Sequence, residues 1–194
     1  AERLAWQHDQ HINDLGVRVD QVLMHQAQEL SNQYNTRLMD EAKDLTGLDN
    51  PKSAPQVKRW LLEHEGIEVP SLNKEAMPEL MQQVKSPEAR RMLTIRSELS
   101  KTSVTKYEAM ERGLCHDGRV HNLLQFYGAN RTGRWAGRLV QVQNLPQNKL
   151  KDLELARELV RDGEFELLEM TFGSPPFVLS QLIRTTFIPS EGCR

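Results

Sequence analysis

The sequence predicts an α+β protein that is mainly helical, with a small antiparallel set of strands toward its C-terminal end. Three observations lead there. Apolar residues recur at steps of three, four or seven through most of the first two-thirds of the 194 residues. Gly and Pro fall at the ends of those periodic segments, not inside them. After Val120 the periodicity gives way to a short apolar and aromatic run and then to a stretch rich in Gly, Asn, Arg and Gln. With 38% hydrophobic residues the chain can bury a real core. No apolar run approaches the roughly 18 residues of a membrane span, and Ala1-Glu2-Arg3-Leu4 does not read as a secretory signal, so a cytoplasmic setting is expected.

A short apolar-periodic piece leads to a tight connection at Asn13-Asp14-Leu15-Gly16. Asp20 is placed to cap a long one-faced helix carrying Leu23, Ala27, Leu30, Tyr34, Leu38 and Leu45, with Gly47 after its end. Ser53 and Pro55 open another helix, with Val57, Trp60 and Leu61, that Gly66 closes. Asn73 caps a short one through Val84. Ser86-Pro87 starts a second long helix, with Ala89, Met92, Leu93, Leu99 and Met110, stopped by Gly113. Asp117-Gly118 marks a turn, and Val120 to Tyr127 reads as one or two strands. Gly128 to Pro146 reads as irregular. Helical periodicity returns at Leu150, Leu153, Ala156, Leu159 and Val160 and again around Leu179, Leu182 and Ile183, before a β-prone run Thr185 to Ile188.

The net charge of −2 hides an asymmetry. From Arg96 to Lys149 there are nine Lys/Arg against four Asp/Glu, a local +5 that leaves −7 elsewhere. A basic segment inside an acidic protein points to an anionic partner. Its densest part runs from Tyr127 to Arg138 and on to Pro146. There arginines offer forked donors for phosphates and base edges, Gln and Asn offer mixed donors and acceptors, and glycines let a backbone approach a ligand. The same residues also suit a surface turn with solvated arginines. Neither GxxxxGK[ST] nor GxGxxG occurs. His8 and His11 lack partners for a metal set, and Cys115 and Cys193 lack CxxC spacing. His121, beside the first strand, is open to a substrate contact or a structural one.

Several segments, taken in order, resemble a known family. Thr132-Gly133-Arg134 followed by Gln143-Asn144-Leu145-Pro146 resembles, at matching spacing, the TGR and LQNIP signature of family A DNA polymerases, the DNA polymerase I group. Lys101-Thr102-Ser103 is similar to a KST-type segment on that family's thumb helix, and Gly118-Arg119-Val120-His121 to the GRVH that enters its palm. Asn13 to Asp20 resembles the start of the polymerase domain, Asn50 to Gln56 the SPKQL segment, and Ile183 to Pro189 RQAFIAP. Gly133 to Arg138 looks more like phage or prophage members than bacterial repair enzymes.

The resemblance implies a palm base over 1–19, a helical thumb over 20–112 and the first part of the palm over 113–194, with an extra helical segment at about 147–181. It implies that Arg134 reaches the minor groove at the primer end, where a donor finds purine N3 or pyrimidine O2 on every well-shaped pair. Gln143 and Asn144 would support template and primer, and Lys101, Thr102, Ser103 and Lys106 would hold the duplex backbone. Arg131, Arg138 and His121 join the DNA-binding set, the two arginines from charge alone. The whole enzyme would add dNTPs to a primer 3′ end with two Mg²⁺ ions. The family's Asp-bearing motifs have no counterpart here, so the chain is expected to be a fragment that binds primer–template DNA, holds no metal and does not polymerise alone. A non-catalytic helical nucleic-acid-binding or scaffolding module is the alternative. A third reading, a helical protein-interaction domain, predicts no salt-sensitive DNA binding. A truncated sheet would expose its edges and favour oligomers.

Overall fold

The computed structural model describes residues 2–101, 104–145, 147–190 and 192–193. The chain is mainly helical with a few short antiparallel strands, as its periodicity requires. It divides into two compact units, one made of Ala1–Ser31 and Thr102–Arg194, the other of Asn32–Lys101.

The first unit opens with α1 (Glu2–Leu15), β1 (Val17–Val19) and the start of α2 (Gln21–Thr46). Asp20 caps α2 as expected, its Oδ1 accepting from the Leu23 amide at 3.1 Å. Strand β1 is the centre of a three-stranded antiparallel sheet between β2 (Arg119–Val120) and β5 (Phe187–Ile188), with Val17 opposite Val120 and Val19 opposite Phe187. Three residues are too few to show a two-residue period, which is why β1 is absent from the sequence reading. The expected run from Thr185 is shorter than read: Ile183–Thr186 forms a 3₁₀ turn that buries Ile183 and Thr186.

The core of this unit joins Leu23, Met24, Ala27 and Leu30 of α2 to α6 (Thr105–Gly113) and to three further helices, α7 (Leu153–Asp162), α8 (Phe165–Phe172) and α9 (Pro175–Leu182). Tyr107 is fully buried in it. Its hydroxyl donates to the Leu179 carbonyl at 2.7 Å, and burial pushes the phenol pKa far up. Helix α8 has apolar residues almost all round, so it shows no stripe and was not read from the sequence.

Two expectations need correction. The helix expected from Pro87 to Gly113 is two helices, α5 (Pro87–Leu99) and α6, and the division between the units falls between them. The intervening sequence is a run of hydroxyl and β-branched residues, Thr102 to Thr105, with low helix propensity. Strand β3 (Leu124–Ala129) falls where a strand is expected between Val120 and Tyr127, but the stretch read as irregular after Gly128 contains its hairpin partner β4 (Arg134–Gly137), then a 3₁₀ turn over Val142–Asn144. Between the Gln125–Ala136 and Ala129–Arg134 pairs β3 advances by four residues and β4 by two, so a bulge separates the pairs, and the four residues of β4 are too few to show alternation.

In the second unit the end of α2 is joined by α3 (Ala54–Glu65), α4 (Met77–Gln83) and α5. Gly66 closes α3 in the left-handed region at φ 70°, and Ser86 Oγ caps α5 by accepting from the Ala89 amide at 3.1 Å. Asn73 caps the turn before α4, not α4 itself, through the Ala76 amide at 2.9 Å. Leu38, Val57, Leu61, Met92 and Leu93 are buried.

Asp20 does more than cap. It is 5% exposed, and its Oδ2 pairs with Arg157 and Arg161, successive turns of α7. Burial raises its pKa, but the Leu23 amide and the two guanidinium groups outweigh that and hold the carboxyl below its ordinary range. A carboxylate with a depressed pKa contributes stability that is present above the ordinary value and lost as pH falls through the folded one. Asp20→Ala removes the cap and strands Arg157, whose Nε is already buried without a partner. The expected loss is about 3 kcal/mol at neutral pH, read as a lower urea midpoint and shrinking below about pH 4.

Candidate nucleic-acid interface

Between Asp117 and Asp152 the chain has no acidic residue, while it carries Arg119, Arg131, Arg134, Arg138, Lys149 and Lys151. The β3–β4 hairpin lies in this stretch. Its tip is closed by the amides of Thr132 and Gly133, both donating to the Ala129 carbonyl at 2.9 Å. Gly133 sits at φ 65° under the Tyr127 ring, which a Cβ would meet at 2.9 Å. At Gly128 a Cβ would come within 2.5 Å of Ala136 Cβ, so the bulged strand closes only with glycine there.

The positive-φ residues other than glycine among those described are Asn122, Tyr127, Leu139 and Gln141, at 53–57°. All fall in or beside this hairpin. Each such conformation costs about 1–2 kcal/mol and persists only where the surroundings enforce it. The enforcing contacts are visible. Arg138 N donates to the Leu123 carbonyl at 2.8 Å, Lys106 Nζ to the Val140 carbonyl at 2.9 Å, and Arg184 to the Leu145 carbonyl at 3.0 Å.

The structure brings some of the sequence-selected residues together. Arg134 on β4, Arg131 in the turn and Arg138 just beyond β4 are exposed. Arg138 Nε donates to Gln125 Oε1 at 3.3 Å. Among the described residues, neither Arg131 nor Arg134 has a side-chain hydrogen bond or ion pair, and both are exposed. Gln143 and Asn144 lie in the 3₁₀ turn that follows, both exposed. The Gln143 amide rests over Gly137, and Asn144 Nδ2 donates to Gln141 Oε1 at 3.0 Å.

Others are placed differently. The Lys106 ammonium serves the Val140 carbonyl. Lys101 belongs to the second unit, where Glu98 holds its ammonium at 2.7 and 2.8 Å. Thr102, Ser103 and Pro146 lie outside the described residues. His121 has both ring nitrogens occupied, Nε2 by Asp117 Oδ2 at 3.0 Å and Nδ1 by the Asn13 carbonyl at 3.3 Å. Its ring also lies over Gly16, where a Cβ would meet it at 2.8 Å.

Sequence reasoning passed over Asp9 and read Asn13 as part of a tight connection, but both lie in α1, only 2% and 6% exposed. Asp9 Oδ1 accepts from the Trp135 indole N–H at 2.8 Å. The Asn13 amide donates to the Leu124 carbonyl at 2.9 Å and accepts from the Leu124 amide at 3.0 Å, as a neighbouring strand would. The available signal was two short polar residues four apart on one helix. A groove in the second unit was also missed. Lys52, Lys74 and Arg96 line it over an apolar floor of Leu72, Met77 and Met81, with no carboxylate among its lining residues.

The hydrogen bond that His121 donates to the Asp117 carboxylate holds the His121 pKa above its ordinary value. A raised imidazole pKa contributes stability that is complete below the ordinary value and lost as pH rises through the folded one. In Asp117→Asn the His121 titration, followed by NMR of the ring protons, is expected to move down toward that of an exposed histidine; an unmoved titration would show that Asp117 does not set it.

Over 192 residues the chain is 55% identical to a protein named DNA polymerase from Bacillus phage SP02, an alignment covering 99% of this chain and 30% of that protein. The chain therefore spans about 30% of the length of that curated relative. No family model and no solved structure matches the chain.

Proposed function

We propose that these residues are the thumb and first part of the palm of a family A DNA polymerase of phage type, and that they bind primer–template DNA. The observation that carries this is the outward, unpartnered guanidinium of Arg134 on a strained hairpin without carboxylates. The identity to a phage protein named DNA polymerase and the ordered motifs support it. Arg134 donates in the minor groove to acceptors common to all base pairs, giving contact without sequence preference. Arg131 and Arg138 add positive charge, Gln143 and Asn144 meet primer and template, and Lys101 would exchange Glu98 for a phosphate. The groove lined by Lys52, Lys74 and Arg96 is a second place for backbone phosphates.

Primer extension in the whole polymerase would use two Mg²⁺ ions and dNTPs. Among the described residues no group of three His, Cys, Asp or Glu side chains is placed to hold a metal ion. Among them, too, no helix is long and apolar enough to cross a membrane. The setting in this proposal is the cytoplasm of a bacterial or phage-infected cell. Among the described strands β5 ends its sheet and offers an edge to a second copy, whereas β2 is already bridged on its outer side by Leu114.

Fluorescence anisotropy with a labelled primer–template duplex tests the DNA reading. Binding should weaken steeply from low to moderate salt. Arg134→Ala should weaken it a further tenfold or so, about the 1.4 kcal/mol of one charge-assisted hydrogen bond. Salt-insensitive binding, or binding indifferent to Arg134, would overturn it.

A further inference from the structure

We infer that Asp9 is a positioning residue for nucleic-acid binding: through the Trp135 indole it fixes the strand that carries Arg134. The inference rests on the DNA-binding reading above and adds a residue to it. Strand β4 pairs only with β3 among the described strands, and a lone two-stranded hairpin is marginally stable in water. The bulge loosens it further, because Phe126, Tyr127 and Gly128 together face Trp135 with no regular pairing. What replaces the missing pairing comes from α1. Asn13 holds both backbone groups of Leu124 at the start of β3, and Asp9 holds Trp135 on β4, one residue from Arg134.

Asp9 and Asn13 are one turn apart and bonded to each other, Asn13 Nδ2 to Asp9 Oδ2 at 3.2 Å, so α1 grips both strands with a single rigid pair. Trp135 is 47% exposed, too open for apolar burial alone to hold it. Its edge-on contact with Phe126, 5.6 Å between centroids, orients the ring but lets it slide along the strand. The directional bond is the one to Asp9. Neighbours on a strand point to opposite faces, so fixing the Trp135 side chain toward α1 sends Arg134 the other way.

The test measures duplex affinity and thermal unfolding of the full chain for wild type, Asp9→Ala, Asp9→Asn, Trp135→Phe, Arg134→Ala and the Asp9→Ala/Arg134→Ala pair. Affinities are read well below each midpoint. Asp9→Ala is expected to weaken binding about tenfold and the pair no more than Arg134→Ala alone, the non-additivity of residues acting as one unit. Asp9→Asn keeps an acceptor for the indole and should restore binding. Trp135→Phe keeps the ring, loses the donor and should behave as Asp9→Ala, which keeps the test open if Asp9→Ala does not fold. A merely structural Asp9 lowers the midpoint and leaves the two effects multiplicative, and that outcome overturns the inference. So does wild-type affinity in Asp9→Ala and Trp135→Phe while Arg134→Ala is weakened, with the DNA reading left standing. Wild-type affinity in Arg134→Ala overturns both.

Discussion

The first unit is organised around one buried carboxylate. Asp20 follows the central strand, caps the long helix and takes two arginines from α7, so its two oxygens tie the β1–α2 junction to a helix 137 residues away in sequence. Burying a charge is unfavourable unless it is paired and hydrogen-bonded, and here every partner is supplied by the chain itself. The consequence is specificity of placement. Helix α7, and with it α8 and α9, cannot shift along the core without leaving Asp20 or the arginines unpaired, whereas the apolar contacts alone would tolerate a small slide.

The same economy of polar anchors holds the hairpin. Its backbone is made costly by four left-handed residues and a bulge, and it borrows order from α1, from Lys106 and from Arg184. Asn13, Lys106 and Arg184 satisfy backbone groups, while Asp9 takes the Trp135 indole. The result is a segment whose outward face is free of structural duty. Among the described residues neither the Arg131 nor the Arg134 side chain makes a hydrogen bond or ion pair, which suits side chains that serve a ligand.

His121 is tied into the fold on every side of its ring that the described contacts reach. It sits in the GRVH segment, yet its ring nitrogens are engaged by Asp117 and Asn13, and its ring fills the space over Gly16. The Asn13 that receives His121 with its carbonyl holds Leu124 with its side chain, so the turn after α1 and the hairpin share an anchor. Lys106 is similar, a cation used to tie down the backbone just before the Gln143 turn.

Local rules in the sequence determined the helices with clear caps and stripes, among them the Asp20 to Gly47 helix, the α3 boundaries and the basic, Gly-punctuated stretch where the candidate interface lies. Hydrophobic periodicity and capping act within a few residues, so they can be read from the chain alone. Only the tertiary structure decided the rest. The three-residue strand β1 exists because β2 and β5 flank it, α5 and α6 separate at the boundary between units, and Asp9 gains meaning only when Trp135, 126 residues away, reaches it. Such contacts form between groups far apart in sequence, and no local pattern encodes which distant partner will satisfy a buried polar atom.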